Sequence, residues 1–209
     1  MRRLKFRARV NFKIRLRAGI IKIIIETKII EKLKSGGVGV IPTDTIYGLA
    51  GLAQNQKTVE RIYQLRQRDP KKPMVILIGD ISDLEKFKIA VDKKTRAILK
   101  KYWPGKVSII LTCKGEKFSY LHRGTKSLAF RLPVNIELQD LIKKVGPLVA
   151  PSANIEGGRP AETIEEAKKY FEDKVDFYID GGTLESKPST LIKIEDGKIK
   201  VIREGDIKI

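Results

Sequence analysis

Short apolar runs alternate with amphipathic segments along most of this chain of 209 residues. Runs bounded by Gly, Pro or charged residues are typical of buried strands, and apolar residues three and four apart are typical of helices packed on a core. The sequence therefore predicts strands over residues 20–25, 38–41, 74–78, 107–112, 128–131 and 148–150. It predicts helices over residues 28–34, 57–67, 82–87, 92–102, 136–145 and 163–171.

Capping and turn residues support this division. Thr27 is expected to cap the first helix, and Thr163 with Glu166 has the spacing of a capping box at the last one. Asp196-Gly197 predicts a tight turn, and this turn would join two final strands over residues 190–194 and 198–202. Alternating strands and helices with an antiparallel close indicate a single α/β domain with a mixed sheet.

Length and composition limit the possible functions. The 209 residues suit one domain, and the 42% hydrophobic content is enough for a full core. No apolar run approaches the roughly 20 residues that a membrane span requires. Cys113 and His122 are the only Cys and His residues, which excludes an intrachain disulfide framework, a thiolate metal cluster and a His-based triad. The chemistry must use Lys, Arg, Ser, Thr, Asn and carboxylates, a set that favours charged, phosphate-bearing substrates. We expect a cytoplasmic location.

The chain is strongly basic, with 43 Lys and Arg, 25 Asp and Glu and a net charge of +18. This balance favours binding to nucleic acid or nucleotides. Residues 1–19 contain eight cations and no acid, and residues 12–17 alternate between apolar and basic in the period of a strand. An RNA-binding arm, an organelle presequence and a disordered leader are all open for this segment. We expect a flexible extension, with the domain proper over residues 20–209.

Two polar loops carry candidate chemistry, because each follows an apolar run where a strand is expected to end. The first is Pro42-Thr43-Asp44-Thr45 and the second is Pro151-Ser152-Ala153-Asn154. Hydroxyl-rich loops can be simple turns or helix caps. Two of them with an arginine cluster between them are better explained as a polar ligand site at the edge of an α/β sheet.

The arginine cluster lies at the expected end of a helix, where Arg66 and Arg68 precede Asp69-Pro70-Lys71-Lys72-Pro73. Cations also suit a solvated helix end. The functional alternative is a polyphosphate clamp, since one guanidinium group can donate two parallel hydrogen bonds to phosphate oxygens and stays charged. The chain has no Walker phosphate-binding sequence, so separated cations and hydroxyls would have to hold a nucleotide.

Arg131 is unusual because it lies within the apolar stretch Leu128-Ala129-Phe130-Arg131-Leu132. A buried arginine is costly unless it is paired. We therefore expect Arg131 to contact a carboxylate of the protein or of a ligand.

Several motifs together resemble one known family. In order along the chain these are P-T-D-T-I-Y-G-L, R-Q-R-D-P-K-K-P-M, W-P-G-K-V-S-I-I-L, L-A-F-R-L-P, P-S-A-N, P-S-T-L and R-E-G-D. From about residue 20 to the end, the chain resembles the YrdC-like threonylcarbamoyl-AMP synthases. The resemblance implies an open, twisted α/β sheet with flanking helices and a concave basic face. It also implies synthesis of L-threonylcarbamoyl-AMP from L-threonine, bicarbonate or CO2 and Mg-ATP, with release of pyrophosphate.

The resemblance also implies roles for particular residues. On the amino-acid side, Thr43 would contact threonine, Arg131 would hold its carboxylate, and Ser189 would contact the substrate. Ser152 belongs to the S-x-N motif between the two substrates.

On the nucleotide side, Arg66 and Arg68 occupy the K-x-R motif, and Arg203 lies near the triphosphate. Ser127 falls at a nucleotide-contacting position, and Asn154 completes the S-x-N motif. The catalytic set would be Arg66, Arg68, Ser152 and Asn154, with no protein metal site.

One departure from the family concerns Arg66, where members usually have Lys. Charge and phosphate contact survive this change, so Arg66→Lys is expected to be tolerated. The expected partners are tRNA or double-stranded RNA and the downstream tRNA threonylcarbamoyltransferase proteins, with no membrane. Two alternatives stay open: a non-catalytic RNA-binding module, and a carbamoyl-adenylate domain like that of hydrogenase maturation.

Overall fold

A computed structural model describes residues 19–195 and 197–209, with side chains from residue 26 onward. The helices in this part are α1 (Gly19–Lys34), α2 (Gln56–Arg66), α3 (Lys93–Tyr102), α4 (Ser119–His122), α5 (Ile136–Val145) and α6 (Ile164–Phe171), with 3-10 turns at Ile81–Phe87 and Glu116–Phe118. The strands are β1 (Gly39–Ile41), β2 (Gly48–Leu52), β3 (Val75–Leu77), β4 (Val107–Thr112), β5 (Ser127–Arg131), β6 (Leu148–Val149), β7 (Phe177–Tyr178), β8 (Thr190–Glu195) and β9 (Lys198–Arg203).

The nine described strands form one open sheet in the order β7-β1-β2-β6-β3-β5-β4-β8-β9. The pairs β1–β7, β3–β5 and β4–β8 are parallel. The other neighbours are antiparallel, including the final β8–β9 hairpin. The predicted α/β fold with a mixed sheet is confirmed.

The two faces of the sheet have different surroundings, as strand β5 shows. Leu128 and Phe130 are fully buried and belong to the main core, where the ring of Phe130 lies 5.1 Å from that of Phe87. Ala129 and Arg131 alternate with them and therefore point to the other face, because successive side chains of a strand point in opposite directions. This second face carries the site described below.

The second face is covered over part of its width. Ile29 and Leu33 of α1 and Leu138 and Ile142 of α5 form a buried cluster with residues of β1, β2, β3, β6 and β7. Beyond this cluster, over β3, β5, β4 and β8, the same face opens into a cavity. Helices α1 and α5 thus cover one side of the second face, and the cavity occupies the other side.

The predicted boundaries agree with the structure over most elements, and those of β4 and α5 are identical to it. The prediction of a strand over residues 20–25 is wrong, because these residues form the first turns of α1. A short apolar run does not distinguish a strand from a buried helix. Thr27 therefore lies inside α1 and is not its cap.

The capping box at α6 is only half present. The Thr163 hydroxyl accepts from the Glu166 N–H at 3.3 Å. The Glu166 carboxylate accepts from the N–H of Glu162 at 2.8 Å, whereas a full capping box would have it accept from the N–H of Thr163. Gly197 has a φ of +73°, which suits the predicted turn. Its partner Asp196 lies outside the described residues, and so do residues 1–18 of the expected extension over residues 1–19. No helix in the described part is both long enough and apolar enough to cross a bilayer.

Candidate functional site

A cavity of about 340 Å³ lies on the open half of the second face. Val75, Ile110, Ala129 and Leu191 form its apolar floor, one each from β3, β4, β5 and β8. Polar residues from the surrounding loops and strand ends form its walls. Eight of the predicted site residues line it: Thr43, Arg66, Arg68, Ser127, Arg131, Ser152, Ser189 and Arg203.

Arg66 is the last residue of α2 and only 4% of it is exposed. Its Nε donates to the carbonyl of Asn154 at 3.0 Å. Its Nη2 donates to Ser152 Oγ at 3.2 Å and to Asn154 Oδ1 at 3.1 Å. Burial lowers the pKa of Arg66 to about 10, and the nearby charge of Arg68 adds to this effect. Arg66 thus joins the helix end to the S-x-N segment.

Asn154 is the predicted residue that does not line the cavity. Its Nδ2 donates to the carbonyls of Ile155 at 2.6 Å and Gly158 at 2.9 Å, while its Oδ1 accepts from Arg66. It is 4% exposed. Asn154 therefore lies behind Arg66 and orients it, whereas Ser152 reaches the cavity itself.

Arg68 begins the basic loop, which we define as residues 68–73. Its Nε donates to the carbonyl of Lys72 and its Nη2 to that of Pro73, both at 3.0 Å. The Tyr63 hydroxyl donates to the same Lys72 carbonyl at 3.0 Å. These bonds fold the loop around the guanidinium and direct it toward the cavity.

Arg131 contacts a carboxylate of the protein, which is one of the two alternatives that the sequence predicted. Its Nη2 lies 3.1 Å from Asp44 Oδ1, and the two side chains are only 5% and 6% exposed. The Nη1 donates to the hydroxyl of Thr45 at 3.0 Å. The Nη2–Oδ1 contact does not have hydrogen-bond geometry, and both Asp44 Oδ1 and Arg131 Nε have no hydrogen-bond partner among the described residues. Burial lowers the pKa of Arg131, and the charge of Asp44 opposes this shift.

Thr43 stabilises the first polar loop from within. Its hydroxyl donates to the carbonyl of Ile46 at 2.7 Å and accepts from the N–H groups of Thr45 and Ile46 at 3.2 and 3.3 Å. Asp44 adds a bond, since its Oδ2 accepts from the N–H of Val134 at 3.0 Å. The loop that carries Thr43 into the cavity is therefore tied to the end of β5 by both Asp44 and Thr45.

The opposite wall comes from the P-S-T and R-E-G-D motifs. Ser189 Oγ lies 2.8 Å from Ser108 Oγ, and the Ser189 carbonyl accepts from Arg203 Nη2 at 2.9 Å. Gly205 approaches this segment so closely that a Cβ would lie 2.2 Å from the carbonyl of Pro188. A residue with a side chain cannot occupy that position without moving the wall. Ser127 lies at the start of β5, and its hydroxyl is 3.3 Å from that of Thr125.

The electrostatics of the cavity are dominated by arginine. Arg131 is paired with Asp44, and Arg68 has Glu156 Oε1 at 3.8 Å. Within the described ranges, Arg203 has no salt bridge. Partial burial of its guanidinium, followed by the charge of Arg68, lowers its pKa. Such a site suits a ligand with several negative charges.

No group of three or more His, Cys, Asp or Glu residues that could hold a metal ion occurs in the described part of the chain. The described polar side chains that line the cavity are arginines and hydroxyl groups, which are donors suited to phosphate oxygens.

Comparison with known proteins identifies the family. A family model named Sua5/YciO/YrdC, with the description "Telomere recombination", matches residues 31–205. This chain belongs to that family. The resemblance drawn from the sequence motifs is therefore confirmed.

The chain is similar to three proteins of known sequence or structure. A Methanocaldococcus jannaschii protein, provisionally named threonylcarbamoyl-AMP synthase, is 36% identical over 87% of this chain and 88% of its own length. The structure of Pyrococcus abyssi Sua5 with L-threonine has a TM-score of 0.81 and 28% identity over 92% of this chain and 56% of that one. The chain thus spans about half of the Sua5 protein. Escherichia coli YciO, named as uncharacterized, is 33% identical over 86% of this chain and 89% of its own length, and its structure has a TM-score of 0.78.

Sequence reasoning did not single out two acidic residues of the site, Asp44 and Glu156. The buried position of Arg131 predicts a carboxylate partner, but Asp44 is far from Arg131 in sequence, so the sequence alone does not identify it. No sequence signal pointed to Glu156, because an acidic residue after a polar loop is ordinary.

Proposed function

We propose that this protein synthesises L-threonylcarbamoyl-AMP from L-threonine, bicarbonate or CO2 and ATP, and releases pyrophosphate. The observation that carries this proposal is the cavity on the open sheet face, where four arginines meet two hydroxyl-rich loops. Membership of the Sua5/YciO/YrdC family and relatives named threonylcarbamoyl-AMP synthase support the reaction. The relative from Pyrococcus abyssi that binds L-threonine supports this amino acid as substrate.

The amino acid would lie near Arg131. Asp44 already neutralises part of this arginine, and the Nε of Arg131 is buried without a hydrogen-bond partner among the described residues. Thr43, Ser152 and Ser189 line the same cavity and would contact the remaining polar groups of threonine. A carboxylate held by Arg131 leaves the threonine amine free to face the nucleotide.

The triphosphate would lie near Arg68 and Arg203, with Ser127 contacting the nucleotide. The charge of Arg203 is the most available, because no carboxylate in the described ranges neutralises it. Arg66 also lines the cavity and contributes positive charge, with its hydrogen bonds already made to Ser152 and Asn154. Mg²⁺ bound to the triphosphate would neutralise further phosphate charge.

The reaction needs few proton-transfer groups from the protein. The threonine amine attacks the carbon of CO2, forming a C–N bond and, after loss of a proton, N-carboxythreonine. A carboxylate oxygen of that species attacks the α-phosphorus of ATP, and the bond to the β-phosphate oxygen breaks to release pyrophosphate. Positioning of the two substrates and neutralisation of the phosphates by the arginines would supply most of the rate enhancement.

RNA contact and a cytoplasmic location belong to the same proposal. The product would pass to tRNA threonylcarbamoyltransferase proteins that modify tRNA. Helix α3 offers a surface for an RNA backbone: Lys93, Lys94, Arg96 and Lys100 are exposed, while Leu99 on the same helix is buried. None of these four cations forms a salt bridge within the described residues. The net charge of +18 supports attraction to RNA.

The test is pyrophosphate release from ATP, measured with and without threonine and bicarbonate. We expect release only when both are present. Arg203→Ala should raise the KM for ATP roughly tenfold or more through loss of a charged phosphate contact. Lys200→Ala, which removes the same charge from the same strand, should not change it. A folded protein without threonine-dependent release would overturn the proposal, and ATP-independent RNA binding would then favour the RNA-binding module.

A further inference from the structure

Glu156 lies two residues after the S-x-N segment and contacts the basic loop at three points. Its Oε2 accepts from the Asp69 N–H at 2.5 Å, and its Oε1 accepts from Lys72 Nζ at 2.8 Å. The same Oε1 lies 3.8 Å from Arg68 Nη1. One carboxylate therefore holds the basic loop and faces the arginine that this loop directs into the cavity.

The backbone of Glu156 extends this network. Its N–H donates to the carbonyl of Arg66 at 2.8 Å, and Arg66 in turn binds Ser152 and Asn154. The end of α2, the S-x-N segment and the basic loop are thus connected through one residue. A substitution of Glu156 is therefore expected to affect residues that line the cavity, although Glu156 itself does not line it.

The contact with Arg68 is weaker than those with the loop. At 3.8 Å the two groups attract each other without forming a hydrogen bond. The carboxylate is 24% exposed and remains charged, since its bonds with Lys72 and Asp69 lower the pKa of Glu156. Arg68 therefore keeps Nη1 donors for a phosphate, but part of its positive charge is offset.

We propose that Glu156 is a positioning residue that sets the polyphosphate affinity of the cavity through two opposing effects. It anchors the basic loop, which favours phosphate binding, and it offsets the charge of Arg68, which opposes it. The inference rests on the proposed function only in taking the polyphosphate to be that of ATP. The two effects are separable, because glutamine keeps an acceptor for the Asp69 N–H without the charge, whereas alanine keeps neither.

The experiment is calorimetric titration of the full chain with inorganic tripolyphosphate. Glu156→Gln should bind about three- to tenfold more tightly than the wild type at about 20 mM salt, and the gain should shrink at about 500 mM. Glu156→Ala should bind more weakly than Glu156→Gln, because both lack the charge and only the anchor differs. Glu85→Gln, which removes an exposed carboxylate outside the cavity lining, should bind as the wild type does.

Hydrogen exchange gives an independent measure of the anchor. The amide of Asp69 should exchange faster in Glu156→Ala than in Glu156→Gln, with thermal unfolding confirming that both variants are folded. Wild-type affinity in Glu156→Gln, or equal affinity in the glutamine and alanine variants, would overturn the inference. Tripolyphosphate binding needs no turnover, so these results stand even if the protein releases no pyrophosphate with threonine.

Discussion

Arg66 shows how a single substitution changes the role of a position. A lysine there would offer one nitrogen, whereas Arg66 uses both Nε and Nη2 to reach three acceptors on Ser152 and Asn154. The expectation from sequence was that Arg66→Lys is tolerated, on the ground that charge is conserved. The geometry gives a different expectation, because the fork of the guanidinium spans the S-x-N segment.

We predict that Arg66→Lys destabilises the protein and weakens catalysis. The lost bond to the buried Asn154 carbonyl should cost about 1–2 kcal/mol, which lowers the Tm by about 2–8 °C in a chain of this length. Arg96→Lys on α3, where the arginine is exposed and has no salt bridge within the described residues, should change the Tm by much less. Differential scanning fluorimetry checks this, and a wild-type Tm for Arg66→Lys would contradict the bridging role.

Arg131 combines a structural and a binding role, so a single substitution does not separate them. Arg131→Ala leaves the Asp44 carboxylate buried without its partner. Breaking a buried ion pair in this way costs about 3–5 kcal/mol. The Tm should fall by about 6–20 °C, and any loss of threonine binding by this variant is ambiguous.

The double variant Asp44→Asn/Arg131→Met separates the two roles. It removes both charges and keeps an oxygen at residue 44 for the Val134 N–H, so stability should return to within about 1–2 kcal/mol of the wild type. Calorimetry should still show no threonine binding, while ATP binding remains. Threonine binding at wild-type strength by this folded variant would remove Arg131 from the amino-acid site.

At the scale of elements, strands with short apolar runs and helices with a clear apolar face were predictable, as β4 and α5 show. Strand β2 was missed because its residues, Gly48–Leu52, are mostly Gly and Ala. Their size is set by tertiary packing: a Cβ at Gly51 would lie 2.4 Å from the Thr58 side chain of α2. Propensity does not reveal a strand whose residues are chosen for close helix contact.

The positions of the two polar loops at strand ends were also predictable, and eight of the nine chosen residues do line one cavity. Sequence did not show which of these residues face the ligand space and which lie behind it. Arg66 lines the cavity and Asn154 does not, because the Arg66 side chain lies over Asn154 and donates to its Oδ1. Such long-range contacts depend on how α2 packs, which local patterns do not encode.

Helix α3 allows a test of RNA binding at the element scale. Replacing Lys93, Lys94, Arg96 and Lys100 by Gln should weaken tRNA binding and flatten its salt dependence by up to about three to four counterions. The control replaces four exposed lysines elsewhere, Lys34, Lys57, Lys169 and Lys174, and removes the same net charge. Equal losses in fluorescence anisotropy titrations of both variants would mean that overall charge, rather than α3, attracts the RNA.

At the scale of the whole molecule, the two faces of the sheet have different roles: one packs the main core and the other carries the candidate site. One face is filled by the main core, and the other carries α1 and α5 at one side and the arginine-lined cavity at the other. Arginines from α2, β5 and β9 and the basic loop converge on one cavity only because the strand order places β3, β5, β4 and β8 side by side. The proposed chemistry thus depends on the topology of the entire sheet.

The most direct test of the proposed reaction is mass spectrometry of the products formed from ATP, L-threonine and ¹³C-bicarbonate. The account predicts an adenylate that contains threonine and one labelled carbon, formed only when all three substrates are present. That product requires the amine of threonine to react while Arg131 holds the carboxylate. Unlabelled threonyl adenylate, or no adenylate from a folded protein that binds ATP, would contradict the account.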